Sequence, residues 1–159
     1  MREAWISEHG TFVSFQAPDQ LPNADLFICK AIERTKQIKI GPGIRPLPFH
    51  HPMQVAVDTA TADHLCDGRY MAGFGLGIGN GDGQRGRLPD GNQREMMREA
   101  IDIILKAWTS NERFDFDGRF WQGKGWHIIP KPLSKPHMEV GVACSRSDST
   151  LELCAEYDV

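Results

Sequence analysis

Long hydrophobic runs, paired cysteines and an excess of one charge are all missing from this chain of 159 residues. No apolar stretch reaches the roughly 18 residues that a membrane-crossing helix needs. Lys and Arg number 18 against 21 Asp and Glu, a net charge of −3. Neither nucleic acid nor an anionic membrane is therefore expected as a partner. The first ten residues lack the basic-then-apolar layout of a secretory leader, so a cytoplasmic location is expected. The four cysteines (Cys29, Cys66, Cys144 and Cys154) are far apart and form no C-x-x-C pair. Together with six histidines they show no zinc-ligand spacing, so no metal is expected and the thiols read as buried and free.

What is present is a rhythm of strand-like and helix-like segments. Ala4–Ser7 reads as a short strand ending at Glu8-His9. Asn23 to Thr35 reads as a helix with Asn23 as N-cap and Ala24, Phe27, Ile28, Ala31 and Ile32 on one face. Gln37–Ile40 alternates like a strand and is broken by Gly41-Pro42-Gly43. A second helix is expected from Pro52, whose fixed φ suits a first turn, to Cys66, with a stop at Asp67-Gly68. Arg69–Gly75 reads as the third strand, followed by a long polar loop to Gly91. Asp90–Trp108 carries the clearest apolar stripe: Met97, Ala100, Ile101, Ile104, Leu105 and Trp108. Arg113–Trp121 alternates about Asp117-Gly118 and predicts a hairpin. An extended Pro130–Pro136 connection, a strand Met138–Ala143 and a helix from Ser147 or Asp148 to Ala155 complete the chain.

Alternating strands and helices imply an α/β fold with a parallel sheet and right-handed crossovers. Ligands in such folds sit at the C-terminal ends of the strands. The residues at those ends are Glu8-His9, Gly41–Arg45, Gly75-Leu76-Gly77 and Ser145-Arg146-Ser147. His9 can act as a general acid or base, or serve only as a structural histidine. Glycines at 73, 75, 77, 79, 81 and 83 would leave one strand face open to a flat ligand or to another backbone. Ser145, Arg146 and Ser147 combine hydroxyls, a guanidinium and a helix start, a phosphate-binding set, with Ser147 as a plain N-cap the alternative. His50 and His51, being adjacent, point apart and do not share a metal. Phe120, Trp121 and Trp126 could wall a pocket or simply pack the hairpin.

Leu47-Pro48-Phe49-His50-His51-Pro52, then Leu65–Tyr70, then Gly73-Phe74-Gly75-Leu76-Gly77 closely resemble the bacterial luciferase-like flavin-dependent monooxygenases. The first of these motifs is most similar to the limonene- and alkanal-monooxygenase-like branch. The resemblance runs from about Trp5 to Asp158. It implies a partial (β/α)8 TIM barrel, about strands 2 to 5 with their helices, since a whole barrel takes about 250 residues. Residues 1–159 would then be a single, incomplete domain lacking the N-terminal strand and the C-terminal strands. By the same resemblance His9 is the catalytic base, and Gly75 and Gly77 lie beside the flavin. Ser145 contacts its phosphate, with Arg146 and Ser147 adjoining, and His50 borders the ring. Gly10 stands where the family often has a second histidine, and Leu76 where luciferase has an arginine. Arg69 corresponds to a mainly structural arginine and reads as an ion-pair partner in the scaffold. The implied activity is a monooxygenase using reduced FMN (or a deazaflavin) and O2 on a small organic substrate. The alternative is a catalytically incompetent fragment that only binds flavin or a partner. A homodimer or a complementing chain would cover the open sheet edges.

Overall fold

The computed structural model describes residues 2–7, 23–77, 92–144 and 148–157. Four parallel strand positions form its centre. β1 (Glu3–Ile6) pairs with β2 (Lys39–Pro42), Trp5 lying opposite Gly41. After Gly43, whose N–H reaches the Ile6 carbonyl, the same strand position resumes as β3 (Arg45–Pro46). β3 pairs with β4 (Ala72–Gly75), and β4 pairs with β7 (Val140–Val142). A bridge between Ile40 and Tyr70 joins the two ladders. The α/β class and the parallel pairing therefore agree with the alternation of the sequence.

The second strand differs from expectation, covering Lys39–Pro42 rather than Gln37–Ile40. Gly41 extends the strand because a side chain there would press on the Met71 carbonyl and the Trp5 ring. Helix α1 (Ala24–Ile32) is capped as expected by the Asn23 side chain, which accepts the Leu26 N–H at 3.0 Å. Its buried stripe is Ala24, Ile28 and Ile32, whereas Phe27 is 46% exposed, so the buried face is narrower than the apolar spacing implies. Helix α2 (Pro52–Leu65) starts at proline and ends through Asp67 (φ 50°) and Gly68 (φ 74°). This left-handed pair lets the Gly68 N–H reach back to the Asp63 carbonyl.

Helix α3 (Gln93–Thr109) buries the predicted stripe, apart from half-buried Leu105, and adds Met96 and Ile103. Trp108 anchors the layer: its ring stacks on Phe74 of β4, and its N–H donates to the Ala56 carbonyl of α2 at 3.1 Å. The hairpin is β5 (Phe114–Asp117) and β6 (Gln122–Trp126), so the connection is Gly118–Trp121 rather than a tight Asp117-Gly118 turn. Glu99 of α3 explains the longer loop. Its carboxylate accepts the backbone N–H groups of Arg119, Phe120 and Trp121 at 3.0, 3.0 and 2.8 Å. Trp126 stacks on Phe116 and meets His51 and Phe114 edge-on, so these aromatics pack the hairpin.

The proline-rich connection is irregular and is tied down by polar groups. Fully buried Asp63 accepts the Ser134 N–H (2.8 Å) and hydroxyl (3.1 Å). Lys131 donates to the Ala107 carbonyl near the C-terminus of α3, and burial holds its ammonium pKa below the ordinary lysine value. Helix α4 (Asp148–Tyr157) returns to α3 through Tyr157–Asp102 and Arg98–Glu156.

Candidate functional site

The two faces of β4 carry different side chains. Phe74 points to the helices, while Gly73 and Gly75 alternate with it on the opposite, inner face, and Gly77 follows just past the strand. A Cβ at position 73 would overlap the Pro42 carbonyl oxygen and come within 2.9 Å of the Trp5 ring. One built at position 75 would meet Ile44 at 2.7 Å. At position 77, where φ is +80°, it would meet Phe49 and Pro46 at 3.0 Å. Trp5, Ile44 and Phe49 thus lie in sequence along the glycine stripe, from the sheet toward the C-terminal end of β4. The Trp5 ring also reaches Gly141 of β7, where a Cβ would lie 2.8 Å from it.

This is a flat, apolar, side-chain-poor surface that keeps some exposure: Trp5 is 45% exposed, and Ile44 and Phe49 are half-buried. Sequence reasoning noticed the glycines but missed the three side chains that overlie them. The sequence shows a tryptophan in one strand and glycines in three others but carries no local signal that sets them at one level.

The turn leading into α2 borders the same end. His51 caps that helix, its Nδ1 accepting the Met53 N–H at 3.3 Å, as a histidine packing the turn should. His50, exposed, follows the one-turn 3-10 segment Leu47–Phe49, where its N–H returns to the Leu47 carbonyl. Of the expected site residues, Gly75, Gly77 and His50 fall on or beside this end. His9, Ser145, Arg146 and Ser147 lie outside the described residues, as does most of the polar loop after Gly77.

A polar cluster missed in the sequence secures the scaffold next to β3. Arg45 pairs with Asp25 of α1 and, at 3.5 Å, with Asp58 of α2. The Tyr70 hydroxyl donates to Asp25 at 2.7 Å, and burial pushes its pKa well above the ordinary phenol value. Arg69 is structural, through hydrogen bonds rather than the expected ion pair: it donates to the Ile32 and Thr35 carbonyls at the end of α1. The thiols differ from the uniformly buried expectation. Only Cys66 is fully buried, Cys29 and Cys154 are intermediate, and Cys144 is exposed. Among the described residues no group of His, Cys, Asp and Glu could hold a metal ion, and no helix is long and apolar enough to cross a membrane.

Residues 2–158 match the family model described as luciferase-like monooxygenase. The chain belongs to that family. Among its relatives is the 4-hydroxyprotoasukamycin monooxygenase of Streptomyces nodosus subsp. asukaensis. The two are 33% identical over 110 residues, 69% of this chain and 29% of the relative. Limonene 1,2-monooxygenase of Rhodococcus erythropolis is 33% identical over 117 residues, 72% of this chain and 29% of that protein. The oxygenating constituent of 3,6-diketocamphane monooxygenase from Pseudomonas putida, solved in complex with FMN, superposes with a TM-score of 0.80 at 26% identity. It covers 99% of this chain and 46% of that one. This luciferase-like chain thus spans less than half the length of these relatives.

Proposed function

We propose that this chain forms the flavin-binding arc of an oxygenase, equivalent to about strands 2 to 5 of a (β/α)8 barrel. The observation that carries the reading is the glycine stripe at the C-terminal end of β4, edged by Trp5, Ile44 and Phe49. A flat tricyclic ring would lie against the outer side of these apolar side chains, which pack low because no side chain projects from the glycines beneath them. Gly75 and Gly77 would lie beside the ring and let Ile44 and Phe49 pack close beneath it, with His50 at the rim. Ser145, Arg146 and Ser147 would bind the phosphate through hydroxyls, a guanidinium and the start of α4. Reduced FMN is the cofactor we propose, supported by the FMN in the diketocamphane monooxygenase structure, and a deazaflavin is the second choice.

When bound, the reduced cofactor supplies the electrons with which O2 is activated toward a small organic substrate. This chain's own contribution is to orient the ring, to keep water from it through the apolar edge, and to hold or move a proton at the His9 imidazole. A second copy or a complementing chain would shield the outer strand edges.

Titration of the purified chain with oxidised and then reduced FMN, followed by flavin fluorescence, tests the reading. Saturable micromolar binding is expected, and its absence from a folded chain would overturn self-sufficient flavin binding and favour a role only as an interaction partner. His9→Ala should lower turnover about 10²-fold with flavin affinity nearly unchanged. Equal turnover in both proteins removes His9 from the chemistry.

A further inference from the structure

We propose that the outer edges of β1 and β7 dock onto a second copy of this chain, so that two four-strand arcs close into one eight-stranded barrel around the candidate site. The inference rests on the partial-barrel reading above and goes beyond it by naming the partner and the two strands that meet. Among the described residues, neither β1 nor β7 has a strand on its outer side. The backbone bonds show which groups are left there. Arg2 and Ile6 accept the Lys39 and Gly43 N–H groups, so in a parallel ladder Glu3 and Trp5 turn their N–H and C=O groups outward. Glu139 accepts the Ala72 N–H and Ala143 donates to the Phe74 carbonyl, so Val140 and Val142 turn theirs outward.

The arc is curved as half of a closed barrel would be. In a flat sheet β1 and β7 would lie three strand spacings apart, about 14 Å. Yet the Trp5 indole of β1 crosses the inner face to β7, where a Cβ built on Gly141 would lie 2.8 Å from it. Four parallel strand positions are half of the eight that close a barrel whose interior is just wide enough for side chains. The layer at Trp5 leaves room for a second copy. Its positions in the other strands are Gly41, Gly73 and Gly141, so one chain contributes a single large side chain there. Two indoles then occupy the space that four branched side chains fill in an ordinary barrel layer.

The helices repeat the pattern. At one end of their layer α1 packs on β2 and α2, and at the other α4 is held on α3 by Tyr157–Asp102 and Arg98–Glu156. Both end helices carry exposed large apolar side chains: Leu26 (72%) and Phe27 (46%) on α1, Leu151 (58%) on α4. A second copy matches these edges because one chain carries both halves of the junction. β1 of one copy meets β7 of the other in parallel, and a two-fold axis along the barrel makes the second junction identical. A net charge of −3 per chain sets no large repulsion against pairing.

The mass of the purified chain, free of flavin, is measured by light scattering at micromolar concentration, and amide hydrogen exchange is followed residue by residue. The expected mass is twice the 17.8 kDa of one chain. The Glu3, Trp5, Val140 and Val142 amides should exchange as slowly as that of Gly141, which faces β4. A folded monomer overturns the proposal and leaves the edges to a different chain. A dimer in which those four amides exchange freely also overturns it, since the copies would then meet on another surface. Glu3→Pro removes an outward N–H and no bond to β2, and should weaken dimerisation about tenfold or more. Leu65→Ser, at an exposed position on α2 away from both edges, should leave the mass unchanged. An unaltered dimer in the first variant, or a monomer in the second, overturns the assignment of the edges. If Glu3→Pro fails to fold, the exchange pattern of the unaltered chain decides. None of these readouts needs flavin. A dimer that fails to bind FMN therefore overturns the flavin reading alone, and a monomer that binds it overturns the pairing alone.

Discussion

The two faces of β4 are specified in opposite ways. Toward the helices, Phe74 meets Trp108, and around them Ile101, Ile104, Val55 and Ala56 build an ordinary close-packed core. Toward the inner face, Gly73 and its neighbours provide only room, and the volume is filled from elsewhere, by the Trp5 indole reaching across from β1 and by Ile44 and Phe49. A core of many contacts tolerates changes in any one of them if volume is kept. A surface made by omission tolerates addition poorly, since even a single methyl meets backbone or an overlying side chain. The helix-facing side therefore secures stability, and the glycine side secures a shape.

Removing the helix-facing anchor should have the largest effect. Trp108 is 2% exposed and hydrogen-bonded to Ala56, and Trp108→Ala should cost about 3–5 kcal/mol in urea unfolding. A cost under about 1 kcal/mol would mean that this face is not the main source of stability. On the other face, Gly73→Ala should cost about 3 kcal/mol although it adds only one carbon. The overlapping group there is the Pro42 carbonyl, a backbone atom that cannot rotate away. Wild-type stability in that variant would show that β2 and β4 are not held as close as described.

The same contrast explains what could be read from the sequence. The helix-facing side was legible because its information is periodic: the α3 stripe from Met97 to Trp108 and the Pro52 and Asp67-Gly68 boundaries of α2 follow from local rules. The glycines were visible as an alternation, but what fills their space comes from Trp5, Ile44 and Phe49, which lie far away in the chain. Nothing local could register Trp5 against Gly41, Gly73 and Gly141. The hairpin shows the same limit: Asp117-Gly118 looks like a tight turn until Glu99, on another element, gathers the next three N–H groups. Arg69 is structural, as its place in the sequence implies, but its partners are carbonyls at and just past the end of α1, set by tertiary packing. The candidate phosphate residues and His9 rest on position after a strand and on family resemblance.

The smallest expected effect sharpens the comparison most. At Gly141 the nearest atoms to an added methyl all belong to the Trp5 ring, the closest at 2.8 Å, with no backbone among them. Gly141→Ala should therefore cost about 1–2 kcal/mol in the unaltered background, by displacing the indole. With Trp5→Leu already in place the same methyl should cost less than about 0.5 kcal/mol, a coupling energy of about 1 kcal/mol in a double-mutant cycle. Gly73→Ala should gain little from Trp5→Leu, because the Pro42 carbonyl remains. If Trp5→Leu relieves both glycine positions equally, or neither, then the indole is not what shapes the inner face. A flat ligand would then have to find its floor elsewhere than on Trp5.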